Sequence, residues 1–498
     1  MLRLGGNAFD AAAAAMLAAC VTEPTLTSLG GGGFLLAHTA ERQNILFDFF
    51  TQTPRQRRPV DEIEFYPALV DFGTAMQEFH IGLGAIAVPG TVAGLFHMHR
   101  RLGRLPMSVV AEPALHYATA GVEMGEFQAY CFRILRPILL ACPEMGQLCT
   151  QNGELLQAGD RFQNLDLADT IRLLVKSGPQ AFYTGDIAHT LAKDAQMRGG
   201  YLSLEDLRHY RVIERSPLMT SYRGTTLVTN PPPSSGGCLI AFALGLLSQV
   251  EVGRHEFGSA AHLTLLADAM RLTNLARADG YDAQIDQPNV AERFLADAHL
   301  RHYAQQLLQT SGANKWGSTT HFSVIDSEGN AASVTTSNGE GSGYTIPGTG
   351  IMLNNMLGEA DLHPGGFHQW PPNVRISSMM APTMVLADGT PELVLGSGGS
   401  NRIRTAILQV ISNVIDFQMS IEQAVNSPRI HWEAGVMNLE PGFDISPSPA
   451  RFPWDSQIVP WERQNMFFGG VHAVLATPDG LLTGAGDRRR SGSVAVVE

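Results

Sequence analysis

The sequence predicts an α+β fold in which a sandwich of β-sheets is covered by helices. Apolar stripes with helical spacing dominate residues 1 to about 310, and paired strand patterns around short turns dominate the remainder. No regular alternation of strands and helices runs along the chain, which argues against a parallel α/β sheet. Hydrophobic residues make up 44% of the 498 residues and charged residues 16%, so the chain can fill a large core.

Most of the predicted helices lie in the first two thirds of the chain. The first is predicted to begin near Asn7 and to bury the apolar residues 11–21. Further helices are predicted at 164–176, 237–250, 260–276, 291–310 and 402–415. The N-terminal segment imitates a signal peptide, but Asp10 and the turn at 5–7 interrupt the place where a leader would become apolar. We therefore expect a buried first helix and, from the sequence as it stands, a cytoplasmic protein.

The predicted strands follow a change in residue composition after residue 310. Residues 311–318 are small and polar, and we expect them to form an exposed linker. Three hairpins are predicted beyond it. The last two turn at Asp388-Gly389 and Asp479-Gly480, residue pairs that tolerate the positive φ of a tight turn. The predicted strands pair 321–326 with 331–336, 383–386 with 392–395, and 471–476 with 481–483.

Composition and motifs exclude several classes of function. The formal charge of −13 argues against a nucleic-acid partner, and no apolar stretch approaches the ~18–20 residues of a membrane span. No phosphate-binding loop, dinucleotide fingerprint or zinc-protease motif occurs, so we predict no cofactor and no metal. His363 and His368 resemble a ligand pair but lie in a Pro/Gly-rich loop. The five cysteines are irregularly spaced, which does not suggest a disulfide framework; a Cys142–Cys149 pair stays open as an alternative.

Two glycine clusters stand out, at 30–33 and at 396–401. A glycine-rich turn that feeds a helix directs several backbone N–H groups to one point, where an anion can bind. Glycine also permits a tight turn with no ligand. The pattern alone does not decide between these interpretations.

Short motifs spread over almost the whole chain resemble the gamma-glutamyltransferase (gamma-glutamyl transpeptidase) family of N-terminal nucleophile hydrolases. The motifs are GGNAFDAA at 5–12, GGGGF at 30–34, PGTVAG at 89–94, PPPSSGG at 231–237, TTHFSV at 319–324, NN at 354–355, SSM at 377–379, GSGGSNR at 396–402 and GDRR at 486–489. One such motif would be weak evidence. Their order and spacing argue against chance similarity.

The resemblance implies a four-layer αββα sandwich made by a chain that cleaves itself. The bond between Ser318 and Thr319 is the expected cleavage site. Cleavage would give a large subunit, residues 1–318, and a small catalytic subunit, residues 319–498, which form one intertwined heterodimer. The freed Thr319 would attack with its hydroxyl group, and its new α-amino group would serve as the base.

The resemblance also assigns the catalytic neighbours of Thr319. Ser337 would support the nucleophile from the next strand. The backbone N–H groups of Gly398 and Gly399 would hold the oxyanion, which favours the anion-binding interpretation of that glycine cluster. Ser400 would lie beside them in contact with substrate.

Four more residues are assigned to substrate binding by the resemblance. Asn338 falls at a substrate-binding asparagine. Glu359 would hold the α-amino group of the donor, as a carboxylate can. Ser377 and Ser378 would bind its α-carboxylate. The implied enzyme is a gamma-glutamyltransferase or glutathione hydrolase that passes a γ-glutamyl group from a glutathione-like donor to water or to an amino-acid or peptide acceptor.

Three departures from the family pattern keep alternatives open. Phe50 stands where the family has an arginine that clamps the α-carboxylate, so either Arg55 or Arg375 replaces it or the acyl group differs. Residues 365–375 leave no room for a lid loop, which favours an open site. The chain begins at the first family helix, so a truncated start would leave a periplasmic or secreted location open. The alternatives are a glutaryl- or cephalosporin-type amide acylase of the same fold, and an unprocessed relative without catalysis.

Overall fold

A computed structural model describes residues 1–72, 76–305, 319–363, 365–443, 457–477 and 479–497. Helices and strands alternate irregularly along these residues. The α-helices of these residues are α1 Ala8–Thr22, α2 Thr91–Leu102, α3 Met107–Val110, α4 Glu112–Ala120, α5 Glu126–Ile134, α6 Arg136–Leu139, α7 Pro143–Cys149, α8 Leu165–Ser177, α9 Gln180–Tyr183, α10 Asp186–Arg198, α11 Leu204–His209, α12 Gly236–Leu247, α13 Ala260–Ala276, α14 Val290–Phe294, α15 Asp297–Ala304, α16 Arg402–Ile415 and α17 Ile421–Asn426.

The described β-strands form two large sheets and several small ones. They are β1 Gly32–His38, β2 Asn44–Asp48, β3 Tyr66–Asp71, β4 Met76–Ile81, β5 Val122–Glu123, β6 Thr150–Gln151, β7 Glu154–Leu155, β8 Arg161–Phe162, β9 Ile213–Arg215, β10 Leu218–Tyr222, β11 Thr225–Thr229, β12 Thr320–Ile325, β13 Ala331–Ser337, β14 Thr345–Ile346, β15 Ile351–Met352, β16 Thr383–Ala387, β17 Thr390–Gly398, β18 Ile430–Glu433, β19 Val436–Leu439, β20 Gln457–Pro460, β21 Gly470–Ala476 and β22 Leu482–Ala485.

Two antiparallel sheets lie face to face at the centre of the molecule. The first has the strand order β12-β13-β1-β2-β9, and the second has the order β10-β11-β16-β17-β21-β22. The hydroxyl of Ser333 in β13 donates a hydrogen bond to the carbonyl oxygen of Leu395 in β17 at 2.9 Å, which ties one sheet to the other. Each half of the chain contributes strands to both sheets, so neither half can form the core alone.

Helices cover the outer faces of both sheets. Helices α1, α2, α4 and α8 share one apolar cluster with the first sheet, and α12, α13 and α16 share another with the second. The layers therefore run helix, sheet, sheet, helix, and the predicted covered sandwich is confirmed. The start of α1 is confirmed as well, because Asn7 accepts the N–H groups of Phe9 and Asp10 while Asp10 accepts that of Asn7.

The three predicted hairpins are confirmed as β12–β13, β16–β17 and β21–β22. At the second turn Asp388 and Gly389 have φ of 49° and 77°, the left-handed backbone that their side chains permit. The helix predicted at 402–415 is also confirmed.

One prediction about the first two thirds of the chain is wrong. The single helix expected at 291–310 is two helices, α14 and α15, because Ala296 between them has extended ψ of 138°; residues 306–310 and the predicted linker at 311–318 lie outside the described residues. Helices dominate the described elements of residues 1–305, as predicted, although β1, β2 and β9–β11 also supply strands to both sheets. Every residue of β1 is buried, so its sequence lacks the apolar–polar alternation by which a half-exposed strand is recognised.

Membrane-spanning helices and metal-binding clusters are both absent from the described residues. Within them, no helix is long and apolar enough to cross a bilayer, and no group of three or more metal-ligating side chains occurs. All five cysteines are buried and free, so the alternative pairing of Cys142 with Cys149 is not formed.

Candidate active site

One cavity brings together side chains from distant parts of the sequence. Its wall contains Phe50 from the loop after β2, Arg277 from the turn after α13, Thr319 before β12 and Ser337 at the end of β13. The other lining residues are Ser235, Met356, Glu359, Asp361, Leu362, Ser377, Ser378, Met379, Met380, Ser400 and Ile403. Six of the nine catalytic and substrate-binding residues predicted from the sequence therefore meet in this catalytic cavity.

Thr319 stands at the open end of the first hairpin. Thr320 is paired with Thr336 in the antiparallel ladder, which places Thr319 opposite Ser337, the last residue of β13. Thr319 and Ser337 are 5% and 4% exposed, and the Ser337 hydroxyl accepts the N–H of Gly339 at 3.0 Å. Ser318 lies outside the described residues, so the cleavage bond stays a prediction.

The glycine loop after β17 passes directly behind Thr319. A Cβ atom on Gly398 would lie 2.1 Å from the carbonyl oxygen of Thr319, so the two backbones meet at a distance that only glycine allows. Gly399 has φ of 119°, also a glycine conformation. Ser400 lines the catalytic cavity, whereas Gly398 and Gly399 are not among its described lining residues. Their role in holding an oxyanion stays a prediction.

Two acidic residues, Glu359 and Asp361, stand in the wall of the cavity. The Oε1 atom of Glu359 is buried and has no hydrogen-bond partner in the part of the chain that the structure describes. Burial raises the pKa of Glu359 well above its ordinary value, and the nearby carboxylates of Glu340 and Asp361 raise it further. Asp361 accepts a hydrogen bond from the Ser400 hydroxyl at 2.8 Å. A cation in the cavity would relieve the unfavourable burial of Glu359.

The two serines before β16 face the same cavity. Ser378 is buried, and its hydroxyl accepts the N–H of Met380 at 3.0 Å. Ser377 is half-buried and also lines the wall. Asn338 differs from them: it is fully buried, its amide donates to the carbonyl oxygen of Leu353 at 3.4 Å, and it is not among the described lining residues.

Phe50 occupies the position at which the family resemblance implies a clamping arginine. Its ring is 1% exposed and stacks on Phe34 with ring centroids 5.5 Å apart. Arg375 does not replace the clamp, because its guanidinium pairs with Asp48 at 3.1 Å and stacks on Tyr210 at 4.8 Å, outside the catalytic cavity.

Arg277 is the basic residue in the described wall, and sequence reasoning missed it. Both oxygens of Asp282 accept from its Nε, at 2.9 and 2.8 Å. Its terminal nitrogens donate to no described residue, which leaves them available to a ligand. The sequence offered no motif around Arg277; only the irregular turn after α13 brings it to the cavity.

Arg490 is a second residue that sequence reasoning missed. Its Nη1 donates to the carbonyl oxygen of Thr319 at 3.1 Å, and burial lowers the pKa of the guanidinium. The GDRR motif at 486–489 ends one residue earlier. Arg490 therefore holds the backbone of Thr319 from the C-terminal end of the chain.

Comparisons with known proteins agree with this geometry. The family model described as gamma-glutamyltranspeptidase matches residues 1–497. The Acylase ACY 1 proenzyme of Pseudomonas sp. (strain V22) is 32% identical over 100% of this chain and 90% of its own length. The glutathione hydrolase proenzyme of Escherichia coli (strain K12) is 31% identical over 98% and 87%. The crystal structure of cephalosporin acylase from Bacillus halodurans has a TM-score of 0.86, 24% identity, and coverage of 100% and 92%, which shows a shared fold.

Proposed function

Because the chain belongs to the gamma-glutamyltranspeptidase family, we propose that it cleaves itself before Thr319 and then acts as a γ-glutamyl transferase or hydrolase. Cleavage would separate residues 1–318 from residues 319–498. The two subunits would stay together, since both contribute strands to each central sheet.

The chemistry requires a base beside the Thr319 hydroxyl. The described wall of the catalytic cavity contains no histidine, lysine or cysteine. The α-amino group that cleavage exposes on Thr319 has an ordinary pKa of ~7.7–8.0, so it can accept the hydroxyl proton near neutral pH. Thr319 Oγ then attacks the carbonyl carbon of the donor amide, the C–N bond breaks, and the amine leaves with the proton taken from the hydroxyl. Water or an amine next attacks the ester, releases the acyl group and returns a proton to Thr319 Oγ. Backbone N–H groups at Gly398 and Gly399 would hold the oxyanion.

The observation that carries the γ-glutamyl assignment is Glu359 in the cavity wall, whose Oε1 has no hydrogen-bond partner among the described residues. The α-ammonium of a γ-glutamyl donor would satisfy this buried oxygen with a charge-assisted hydrogen bond. A glutaryl group has the same remote carboxylate but lacks that ammonium, so it would leave Glu359 Oε1 without a partner. Its carboxylate would also approach the acidic wall with no positive charge beside it. The acidic wall therefore favours γ-glutamyl donors.

A second candidate is an amide acylase of the same fold. Phe50 in place of a clamping arginine favours it. Arg277 can meet the remote carboxylate that glutaryl and γ-glutamyl groups share, so it does not distinguish the two candidates. The 32% identity to the acylase proenzyme is as high as the identity to the glutathione hydrolases.

The deciding experiment combines a denaturing gel with two substrates. We expect the purified protein to run as two bands and to hydrolyse γ-glutamyl-4-nitroanilide faster than glutaryl-4-nitroanilide. Thr319→Ala should stay uncleaved and inactive, while the matched Thr319→Ser retains a hydroxyl and should still cleave. Faster glutaryl turnover would replace the first candidate with the second. Thr319→Ala protein that still splits would refute the assignment of the nucleophile.

A further inference from the structure

A second cavity adjoins the catalytic cavity. Leu362 and Ser377 line both, whereas Thr319, Ser337 and Ser400 line only the first. The second cavity therefore adjoins the wall assigned to the donor's far end, and not the nucleophile. Its volume is about 250 Å³, against about 50 Å³ for the catalytic cavity. An apolar cavity of roughly 150 Å³ can hold benzene, so the second cavity has room for an aromatic ring.

The wall of the second cavity is largely apolar. Besides Leu362, its apolar lining residues are Pro233, Ile285, Trp370, Pro371, Val374 and Ile376. Asp286 is the carboxylate in the described wall. Arg375 also contributes to the wall, and it shares the carboxylate of Asp48 with Arg215. The hydroxyl of Thr53 donates to the carbonyl oxygen of Pro371 at 2.7 Å, and the ring of His363 contacts the carbonyl oxygen of Met356 at 2.8 Å. A neutral apolar group matches this surface better than a free carboxylate.

Trp370 supplies an aromatic ring to this wall. The residue is 4% exposed, and its Nε1 is buried away from solvent. The ring is held by Arg57, 5.4 Å above its centroid, and by the edge-on ring of Tyr201 at 5.1 Å. A rigidly held aromatic residue in an apolar wall suits an aromatic ring of a ligand.

We propose that the second cavity binds an apolar or aromatic group joined by an amide bond to the remote α-carboxyl of the donor's acyl group. This inference rests on the proposed function, in which the α-carboxyl end lies at Ser377 and Ser378. Since Ser377 also lines the second cavity, a substituent on that carboxyl extends past Leu362 into it. The preferred donor is then a γ-glutamyl amide whose α-carboxyl is amidated, and its ammonium still meets Glu359.

The test compares two donors that differ at one end. One is γ-glutamyl-4-nitroanilide with a free α-carboxylate, and the other carries that carboxyl as its benzylamide. We expect kcat/KM to be about tenfold higher for the benzylamide, chiefly through a lower KM, because the ring is remote from the bond that breaks. Val374→Trp should fill the cavity and lower this ratio about tenfold. The same change at an exposed site outside both cavities, Val60→Trp, should leave the ratio unchanged.

The outcomes separate this inference from the proposed function. If the free donor is hydrolysed and the benzylamide is no better, the inference is wrong and the proposed function stands. If neither donor is hydrolysed, both are wrong. A third donor carries the benzyl group on the amine side of the scissile bond. If Val374→Trp impairs that donor and spares the benzylamide, the cavity serves the leaving group and the inference is overturned.

Discussion

Replacing Gly398 by alanine tests whether the glycine loop sets the position of Thr319. The added Cβ would lie 2.1 Å from the carbonyl oxygen of Thr319 and 2.9 Å from its carbonyl carbon. Gly398 does not have a positive φ, so alanine suits its backbone. The effect of the substitution therefore comes from the contact with Thr319 and from a tight one with Arg490 Nη1, 3.1 Å from the added Cβ.

The expected magnitude follows from the displacement that the contact forces. An ordinary contact between these atoms lies above 3.0 Å, so the Thr319 carbonyl must move by about 1 Å. A shift of that size costs about 100-fold in rate when it misplaces a reacting group. Overpacking of a buried site costs about 1–3 kcal/mol of folding stability. We expect Gly398→Ala to fold, to cleave at least tenfold more slowly, and to lose about 100-fold in kcat.

The assay follows cleavage on a denaturing gel and then measures turnover by the cleaved fraction. Gly146→Ala is the matched control. It lies within α7, and its added Cβ would meet only Leu140 Cδ2 at 3.7 Å. If Gly398→Ala cleaves and turns over as Gly146→Ala does, the loop does not position Thr319.

Four further predictions concern three residues of the catalytic cavity. Glu359→Gln should weaken binding of γ-glutamyl donors by about 1.5–3 kcal/mol, read as KM; an unchanged KM would contradict the ammonium assignment. The raised pKa of Glu359 means that the folded protein keeps a proton that the unfolded chain releases above its ordinary value of 4.5. The stability contribution of Glu359 is therefore fully present below that pH and is lost as pH rises towards the folded-state pKa. Urea unfolding should show the advantage of Glu359→Gln over wild type growing as the pH rises above 4.5, and a constant difference would contradict this. Phe50→Arg should tighten binding of donors with a free α-carboxylate by about 1–2 kcal/mol, read as a lower KM, and should leave the KM of amidated donors unchanged. The substitution also removes the stacking on Phe34, so folding and cleavage of the variant are checked first. Arg277→Gln should weaken donors with a remote carboxylate by about 1 kcal/mol relative to amidated donors, and equal losses for both would exclude such a contact.

The sequence by itself determined the features that depend on local chemistry. The turn at Asp388-Gly389 needs a positive φ, which these two residues tolerate, so the sequence alone predicts this hairpin. The helix cap at Asn7 and the apolar stripe of α16 also depend only on residues that are close together in the sequence. The motif around Thr319 placed it at the start of a strand, where the structure has it. The resemblance supplied the roles of the site residues, which stay predictions.

Only the tertiary structure decided which charged groups meet in the cavity and which do not. Arg375 and Arg277 are both arginines of unremarkable sequence context, and each pairs with an aspartate, yet only Arg277 lines the described wall of the cavity that contains Thr319. Phe50 shares a wall with residues more than two hundred positions away. The pKa of a carboxylate such as Glu359 depends on how far water is excluded and on which charges lie within a few ångströms. Both are properties of the packed chain, and spacing along the sequence does not contain them.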